Sequence, residues 1–196
     1  SSTSGKRPTL LVRVARPRAS LIYNPRAGRR RHQRKVGAIR ATLESAYELS
    51  ISRTTAPGEA IALAREATQQ GHVAVFAWGG DGTVREVVEG ILGSPTRLGV
   101  LPGGTFNVVA LALGLPKDPA RAAAALVQGL PKERDVGLIE STPFLMQATA
   151  GLDGFMMHDL RAHVKARFGL AGVIAEALRS FWRYRFRAFE VELNGE

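Results

Sequence analysis

Three glycines and one aspartate fall within the five consecutive residues Gly79, Gly80, Asp81, Gly82 and Thr83, directly after the apolar run of residues 73–78. A continuous apolar run of this length is typical of a parallel strand buried on both faces. Glycine allows the backbone angles of a tight loop and leaves N–H groups open to an anion, and the N-terminus of a following helix adds partial positive charge. These residues therefore predict a loop that binds phosphate.

Asp81 is the one acidic residue of this loop. A carboxylate repels phosphate unless it holds Mg²⁺ or accepts a proton from an attacking hydroxyl group. Asp81 is therefore a candidate for metal binding or proton transfer. The alternative is a plain strand-to-helix turn in which Asp81 caps the helix, although three glycines exceed what such a turn needs.

A second loop of the same kind spans residues 101–107 and contains Gly103, Gly104, Thr105 and Asn107. It follows a predicted strand at residues 97–101 and precedes a helix predicted from Thr105 towards residue 113. Ligands of α/β sheets bind at the carboxyl ends of the strands, where both loops lie. Thr105 and Asn107 can hydrogen-bond a phosphate or a nucleoside, and helix capping is their alternative role. Two such loops on neighbouring strands favour one shared ligand site.

Several other kinds of site are excluded by the sequence. The chain contains no cysteine, so a disulfide scaffold, a thiol nucleophile and a cysteine-bound metal are ruled out. It has no GxxxxGK[ST] motif, no GxGxxG after a strand, no GxSxG and no HExxH. The four histidines are scattered along the chain and predict ordinary surface or core positions.

Strand and helix patterns alternate through the first two thirds of the chain. Strands are predicted at residues 20–23, 48–53, 73–78 and 97–101, and helices at residues 33–47, 59–70, 84–92, 105–113 and 119–128. This alternation predicts an α/β fold with a mostly parallel sheet. Beyond residue 131 the pattern predicts a hairpin of strands 134–139 and 144–150 around residues 140–143, a basic helical stretch at 158–183 and a last strand at 187–193.

The chain carries 27 Lys and Arg against 17 Asp and Glu, a net charge of +10, and 22 of the basic residues are arginine. Arginine binds phosphate bidentately, although a codon bias towards arginine explains the surplus equally well. Residues 1–19 are rich in serine, proline and arginine and predict a disordered basic tail. Residues 179–187 interleave arginine with aromatic residues, which is typical either of a membrane interface or of a helix packed on a core. No apolar run is long enough to cross a bilayer.

Taken together, these motifs resemble those of the diacylglycerol kinase catalytic-domain family. Asn24-Pro25 with Gly28, the loop at Gly79–Thr83 with Glu86, and the loop at residues 101–107 occur in this order, and the resemblance runs from about residue 20 to residue 194. The family joins bacterial diacylglycerol and lipid kinases with sphingosine and ceramide kinases and is distantly related to NAD kinases. The resemblance implies an NAD kinase-like or flavodoxin-like α/β nucleotide-binding domain at residues 20–131. A partial second domain would follow at residues 132–196, as the beginning of an incomplete β-sandwich with a basic helical insertion.

The same resemblance implies roles for individual residues. The nucleotide-binding residues would be Asn24, Gly28, Thr55, Gly79, Gly80, Gly82, Thr83, Glu86, Gly104, Thr105 and Asn107. Thr55 would lie near the ribose or adenine, and Glu86 would support the glycine loop. Asp81 would be catalytic, through Mg²⁺ or the acceptor hydroxyl group. Asp153 would lie near the acceptor lipid, and Arg161 and Arg167 would face phosphate.

The implied activity is that of an ATP-dependent lipid kinase, which transfers the γ-phosphoryl group to the hydroxyl group of diacylglycerol or a related lipid with ATP and Mg²⁺ as cofactors. The expected location is the cytoplasm, in peripheral contact with an anionic membrane, with no nucleic acid as partner and a homodimer left open. The alternatives are a kinase of a non-lipid hydroxyl group such as that of NAD, and a non-catalytic module that senses nucleotide or lipid. Val108 after Asn107 and Arg85 before Glu86 depart from the common family pattern. The resemblance implies that the rest of the β-sandwich would follow residue 196.

Overall fold

The computed structural model of the chain describes residues 15–27 and 32–147 and the single positions 175, 178, 179, 181 and 182. The chain divides into two compact units, Ser1–Met146 and Gln147–Glu196, and the fold described below is that of the first. Gly28, Asp153, Arg161 and Arg167 lie outside the described residues. The same holds for most of the predicted basic helical stretch and for the predicted last strand.

The first unit alternates strands and helices in the predicted order. Its strands are β1 (Arg18–Tyr23), β2 (Glu48–Arg53), β3 (Ala74–Gly79), β4 (Arg97–Pro102), β5 (Gly137–Ile139) and β6 (Thr142–Phe144). Its helices are α1 (His32–Glu44), α2 (Glu59–Gln69), α3 (Asp81–Ile91), α4 (Val108–Ala112) and α5 (Pro119–Gln128). None of the helices within the described ranges has the length and apolarity needed to cross a bilayer.

Strands β1 to β4 form one parallel sheet in the order β2-β1-β3-β4, which confirms the predicted α/β class. The register pairs Tyr23 with both Arg53 and Trp78, and Trp78 with Leu101, so all four strands end at the same edge. Every residue of the central strand β3 is buried, because helices cover both faces of the sheet. The loops that follow the four strands therefore meet at one edge.

Alternate side chains of the strands enter two separate cores. On one face, Ile22 and Val75 pack with buried residues of α2, α3 and α4. On the other face, Leu21 and Trp78 pack with α1 and α5. Helices α2 and α3 approach closely at Gly90, where an added Cβ atom would lie 2.5 Å from the carbonyl oxygen of Ile61. This close contact sets the position of α3, whose N-terminus carries the glycine loop.

Two helix boundaries differ from the prediction near the glycine loops. Helix α3 begins at Asp81, three residues before the predicted start, so Gly82 and Thr83 belong to its first turn. Helix α4 covers only Val108–Ala112 instead of residues 105–113. The helix cannot extend back through Asn107, because that residue adopts a left-handed backbone conformation with φ of 51°.

The hairpin after α5 is shorter than predicted, and its second strand begins two residues earlier. Its strands are Gly137–Ile139 and Thr142–Phe144, paired antiparallel, and its turn is the two residues Glu140 and Ser141 instead of residues 140–143. Glu140 has a φ of 54°, the positive value that a two-residue turn between twisted strands requires. The prediction of a strand at 144–150 was therefore right at residue 144 and wrong at residues 145–147, and residues 148–150 lie outside the described part.

His72 is buried at the opposite edge of the sheet from the glycine loops, with 4% of its surface exposed. Neither ring nitrogen has a hydrogen-bond partner within the described part of the chain. Burial lowers the pKa of His72, and the nearby charge of Arg18 lowers it further against the opposing effect of Glu48. His72 therefore stays neutral in the folded protein at pH values where it gains a proton in the unfolded chain.

The free energy of unfolding should accordingly fall as pH drops through the usual pKa of histidine, near 6.5. Between the folded and the unfolded pKa the unfolded state binds more protons, so acidification favours it. His72→Leu should show a flatter dependence between pH 7.5 and 5.5, measured by urea unfolding at each pH. Equal slopes for the variant and the wild type would contradict this assignment.

Candidate functional site

The loops after the four parallel strands enclose an open cleft of about 370 Å³ at the carboxyl edge of the sheet. The loop after β1 contributes Asn24, Arg26 and Ala27, and the loop after β2 contributes residues 54–57. The remaining walls are Gly80, Gly82, Thr83 and Glu86 from the start of α3, and Gly104 and Thr105 after β4. This is the position at which α/β sheets bind ligands.

Eight of the predicted nucleotide-binding residues line this one cleft. They are Asn24, Thr55, Gly80, Gly82, Thr83, Glu86, Gly104 and Thr105. Gly79, Asp81 and Asn107 lie beside the cleft and are not part of its lining. The predicted residues therefore come from all four loops that line the cleft, although they lie up to about eighty positions apart in the sequence.

The two glycine loops touch each other backbone to backbone. A Cβ atom added at Gly104 would lie 2.5 Å from the Cα atom of Gly80, and the Gly103 N–H donates to the carbonyl oxygen of Gly79 at 2.8 Å. At Gly79 an added Cβ atom would lie 2.5 Å from Oγ1 of Thr83. Glycine is therefore required at these positions by the packing of the loops themselves. Gly82 differs, because the space at its Cβ position is open.

The turn after β1 is tied to α3 through Asn24. Its Oδ1 accepts the backbone N–H of Arg26 at 2.9 Å, and its Nδ2 donates to Oγ1 of Thr83 at 3.4 Å. The Asn24 N–H donates to the carbonyl oxygen of Trp78 at 3.0 Å, which holds the turn against β3. Asn24 thereby fixes the backbone from which the Arg26 side chain extends at the cleft.

Arg26 is the one cationic side chain among the lining residues of the described cleft, and sequence reasoning did not single it out. Its backbone N–H is bonded to Asn24, while its guanidinium group has no protein partner within the described ranges. The signal was present, since a basic residue two positions after Asn24 belongs to the same turn. A free guanidinium group at an open cleft suits a bidentate anion such as phosphate.

Asp81 lies in the first turn of α3, half-buried. Its Oδ1 accepts the backbone N–H of Val109 at 3.1 Å, so the carboxylate caps the N-terminus of α4 from the first turn of α3. The described residues hold no group of three or more His, Cys, Asp or Glu side chains that could enclose a metal ion. Asp81 thus has one capping oxygen and one oxygen without a protein hydrogen bond in the described part.

Asn107 closes the second glycine loop on itself. Its Oδ1 accepts the Gly104 N–H at 2.7 Å, and its Nδ2 donates to the Gly104 carbonyl oxygen at 3.0 Å. Both polar atoms of the side chain are therefore engaged with the backbone of the same loop. The predicted contact of Asn107 with nucleotide stays a prediction, whereas its role in shaping the loop is visible.

Two carboxylates hold the loop after β2. Glu86 accepts the N–H of Gly58 at 2.9 Å and that of Ala60 at 3.3 Å, so it supports the start of α2 as well as lining the cleft. Glu59 accepts the N–H groups of Thr55 at 2.6 Å and Ala56 at 3.2 Å. It also accepts the Thr55 hydroxyl at 3.0 Å, and sequence reasoning missed Glu59 altogether.

Comparison with known proteins places these features in a family. Residues 18–139 match the model of the diacylglycerol kinase catalytic domain. A diacylglycerol kinase of Bacillus subtilis is 32% identical over 183 residues, which cover 91% of this chain and 60% of that protein. A diacylglycerol kinase of Staphylococcus carnosus is 35% identical over 139 residues, which cover 69% of this chain and 45% of that protein.

Solved structures similar to this chain are also those of diacylglycerol kinases. The crystal structure of a diacylglycerol kinase from Bacillus anthracis superposes with a TM-score of 0.61 at 31% identity, over 65% of this chain and 49% of that one. The chain thus spans about half the length of the relatives that it matches. The matched segment contains the whole parallel sheet and both glycine loops. Because the cleft, the loops and the sheet that carries them all lie inside this match, the chain belongs to the diacylglycerol kinase catalytic-domain family.

Proposed function

We propose that the chain is the nucleotide-binding part of an ATP-dependent lipid kinase, which transfers the γ-phosphoryl group of ATP to the hydroxyl group of diacylglycerol or a related lipid. The observation that carries the proposal is one cleft lined by residues of two touching glycine loops and by Arg26, whose guanidinium group has no partner among the described residues. Relatives with the same domain are named diacylglycerol kinases. Phosphoryl transfer depends mainly on positioning and charge stabilisation, and backbone N–H groups and a guanidinium group at a cleft are suited to both.

The wall formed by α3 and Arg26 suits the phosphate groups. Gly82 and Thr83 lie in the first turn of α3, where backbone N–H groups lack partners within the helix. The helix dipole adds favourable potential for an anion at this end. Arg26 supplies the full positive charge, and Asn24 holds both Arg26 and Thr83 in place.

Asp81 is proposed as the catalytic residue, beside this wall. Mg²⁺ is held in many kinases by one or two carboxylates together with the phosphate oxygens, so a single carboxylate with one oxygen outside the protein's hydrogen bonds fits this ion. When bound, the ion would neutralise charge on the transferred group. The carboxylate of Asp81 itself is suited to accept the proton of the acceptor hydroxyl group.

Peripheral contact with an anionic membrane, on the cytoplasmic side, is part of the same proposal. The net charge of +10 supports it, because each Lys or Arg near an anionic surface contributes about 1 kcal/mol of attraction. Such contact would bring the enzyme to a lipid acceptor.

The proposal is tested with labelled ATP, Mg²⁺, a mixed lipid extract and NAD, using the natural protein that contains this chain. We expect label in the lipid fraction. Label in NAD instead would favour the kinase of a soluble acceptor, and ATP binding without transfer to any acceptor would favour a sensing module. Either result would overturn the lipid kinase assignment.

Arg26→Ala should weaken ATP binding about 10- to 100-fold, because a hydrogen bond to a charged group contributes about 1.5–3 kcal/mol. The affinity for AMP, which lacks the β- and γ-phosphate groups, should fall less in this variant. Arg40→Ala is the matched control, since it removes the same charge from a surface ion pair with Glu44 on α1. Titration calorimetry measures both affinities, and equal ATP affinities for the two variants would refute the role of Arg26.

A further inference from the structure

The hydroxyl group of Thr55 has a fixed direction at the cleft. Thr55 lines the wall after β2, and its Oγ1 lies 3.0 Å from Oε2 of Glu59. The same carboxylate oxygen accepts the backbone N–H groups of Thr55 and Ala56. These bonds, with the backbone of Thr55 first, lower the pKa of Glu59, so the carboxylate is ionised at neutral pH. An ionised carboxylate can only accept hydrogen bonds.

A threonine hydroxyl has one proton and two lone pairs. Since Glu59 can only accept, the proton of Thr55 is donated to Glu59, and the hydroxyl oxygen keeps only its lone pairs for any further partner. We infer that Thr55 is a hydrogen-bond acceptor that selects a donor group on the nucleotide, and that Glu59 is the positioning residue that keeps Thr55 in this state.

The surrounding contacts make this wall rigid. Glu86 on α3 holds the N–H groups of Gly58 and Ala60, while Glu59 holds those of Thr55 and Ala56. The loop is therefore tied on both sides of Pro57. A rigid acceptor discriminates more strongly than a mobile one, because it cannot turn to suit a ligand that lacks the donor.

The inference rests on the proposed nucleotide function, and it states which part of the nucleotide contacts residues 54–57 after β2. Residues 54–57 include no cation, whereas Arg26 and the N-terminus of α3 form the wall suited to phosphate. The wall after β2 therefore faces the nucleoside. Its possible donors are the amino group of adenine and the ribose hydroxyl groups. Inosine triphosphate, 2′-deoxy-ATP and 3′-deoxy-ATP each lack one of them.

Affinities of the 196-residue chain for ATP and these three analogues give the test. We expect ATP to bind about five- to tenfold more tightly than one of the analogues, as the loss of one hydrogen bond predicts. The analogue that is disfavoured identifies the donor. Thr55→Val should remove this preference by weakening ATP and the two analogues that retain the donor, while the disfavoured analogue binds as before. Thr55→Ser should retain the preference.

Glu59→Ala should also reduce the preference although Thr55 is present, because the freed hydroxyl group can then donate. Glu59→Gln, which keeps an acceptor oxygen in place, should restore most of it. A purely structural role would weaken all four nucleotides equally. Equal weakening, or a preference that survives in Thr55→Val, would overturn the inference while leaving the nucleotide site standing. If the wild type binds none of the four nucleotides, the proposed function fails and the inference fails with it.

Discussion

Asp81→Asn should reduce transfer of phosphate to lipid by at least about 100-fold, the contribution expected of a general base. Asparagine keeps an oxygen that can accept the Val109 N–H, so the cap on α4 and the fold should survive. What is lost is the negative charge, which the proposed roles in binding Mg²⁺ and in accepting the hydroxyl proton both need. The rate is measured with labelled ATP and lipid, and ATP affinity without Mg²⁺ should stay within about threefold of the wild type, because the carboxylate contributes no attraction to phosphate.

Glu89→Gln is the matched control for this loss of charge. Glu89 lies on the same helix and pairs with Arg85 at 2.9 Å, outside the lining of the cleft. Its replacement should leave the rate within about twofold, as is usual for a surface ion pair. Asp81→Ala removes the cap as well, and should cost about a further 1 kcal/mol in the free energy of unfolding. If Asp81→Asn keeps the wild-type rate, the carboxylate is only a cap and the proposed chemistry is wrong.

Gly104→Ala should disrupt the site through packing alone. The added Cβ atom would lie 2.5 Å from the Cα atom of Gly80 and 3.3 Å from its backbone nitrogen. Backbone atoms cannot rotate away as a side chain does, so the two loops must separate and strain the Gly103 to Gly79 hydrogen bond. We expect a loss of about 3 kcal/mol in the free energy of unfolding, at the upper end of overpacking effects, together with loss of ATP binding.

Gly37→Ala is the control for this substitution. Gly37 lies in α1, and the space at its Cβ position is free of other atoms within 4 Å. Alanine there should raise the free energy of unfolding by about 0.5–1 kcal/mol, as expected for an exposed helix. Urea unfolding measures the free energy of unfolding of both variants, and ATP titration measures their affinity for ATP. Gly104→Ala with wild-type stability and affinity would show that the loops do not need to touch.

Local signals explain why most of the fold could be predicted. The apolar run at β3 and the Asp118-Pro119 pair at the start of α5 act within a few residues, and Asp118 does accept the N–H groups of Ala120 and Arg121. The strand order β2-β1-β3-β4 was not deducible in this way, because it depends on how segments far apart in sequence pack. The start of α4 was misplaced because the left-handed conformation of Asn107 is stabilised by its two bonds to Gly104.

In the candidate site too, residues with a local sequence signal could be predicted and residues that act through folding of the loop could not. Gly80 and Thr83 could be identified because glycine-rich turns after strands have few other uses. Asn24 was identified only through the family resemblance, and the structure places all three residues on one cleft. Glu59 could not be identified from the sequence, because an acidic residue in the first turn of a helix is common and the helix dipole alone explains it. Its bond to the Thr55 hydroxyl appears only when the loop folds back onto the helix.

The amino-acid sequence alone determined which chemical groups stand at the ends of the strands, since residue type and spacing act locally. Tertiary structure decided what each group contacts. Gly80 and Gly104 meet each other, Asp81 reaches Val109 on another helix, and Glu86 reaches back to the start of α2. The physical reason is that each of these contacts joins segments about twenty or more residues apart, whose distance is set only when the parallel sheet brings its carboxyl ends together.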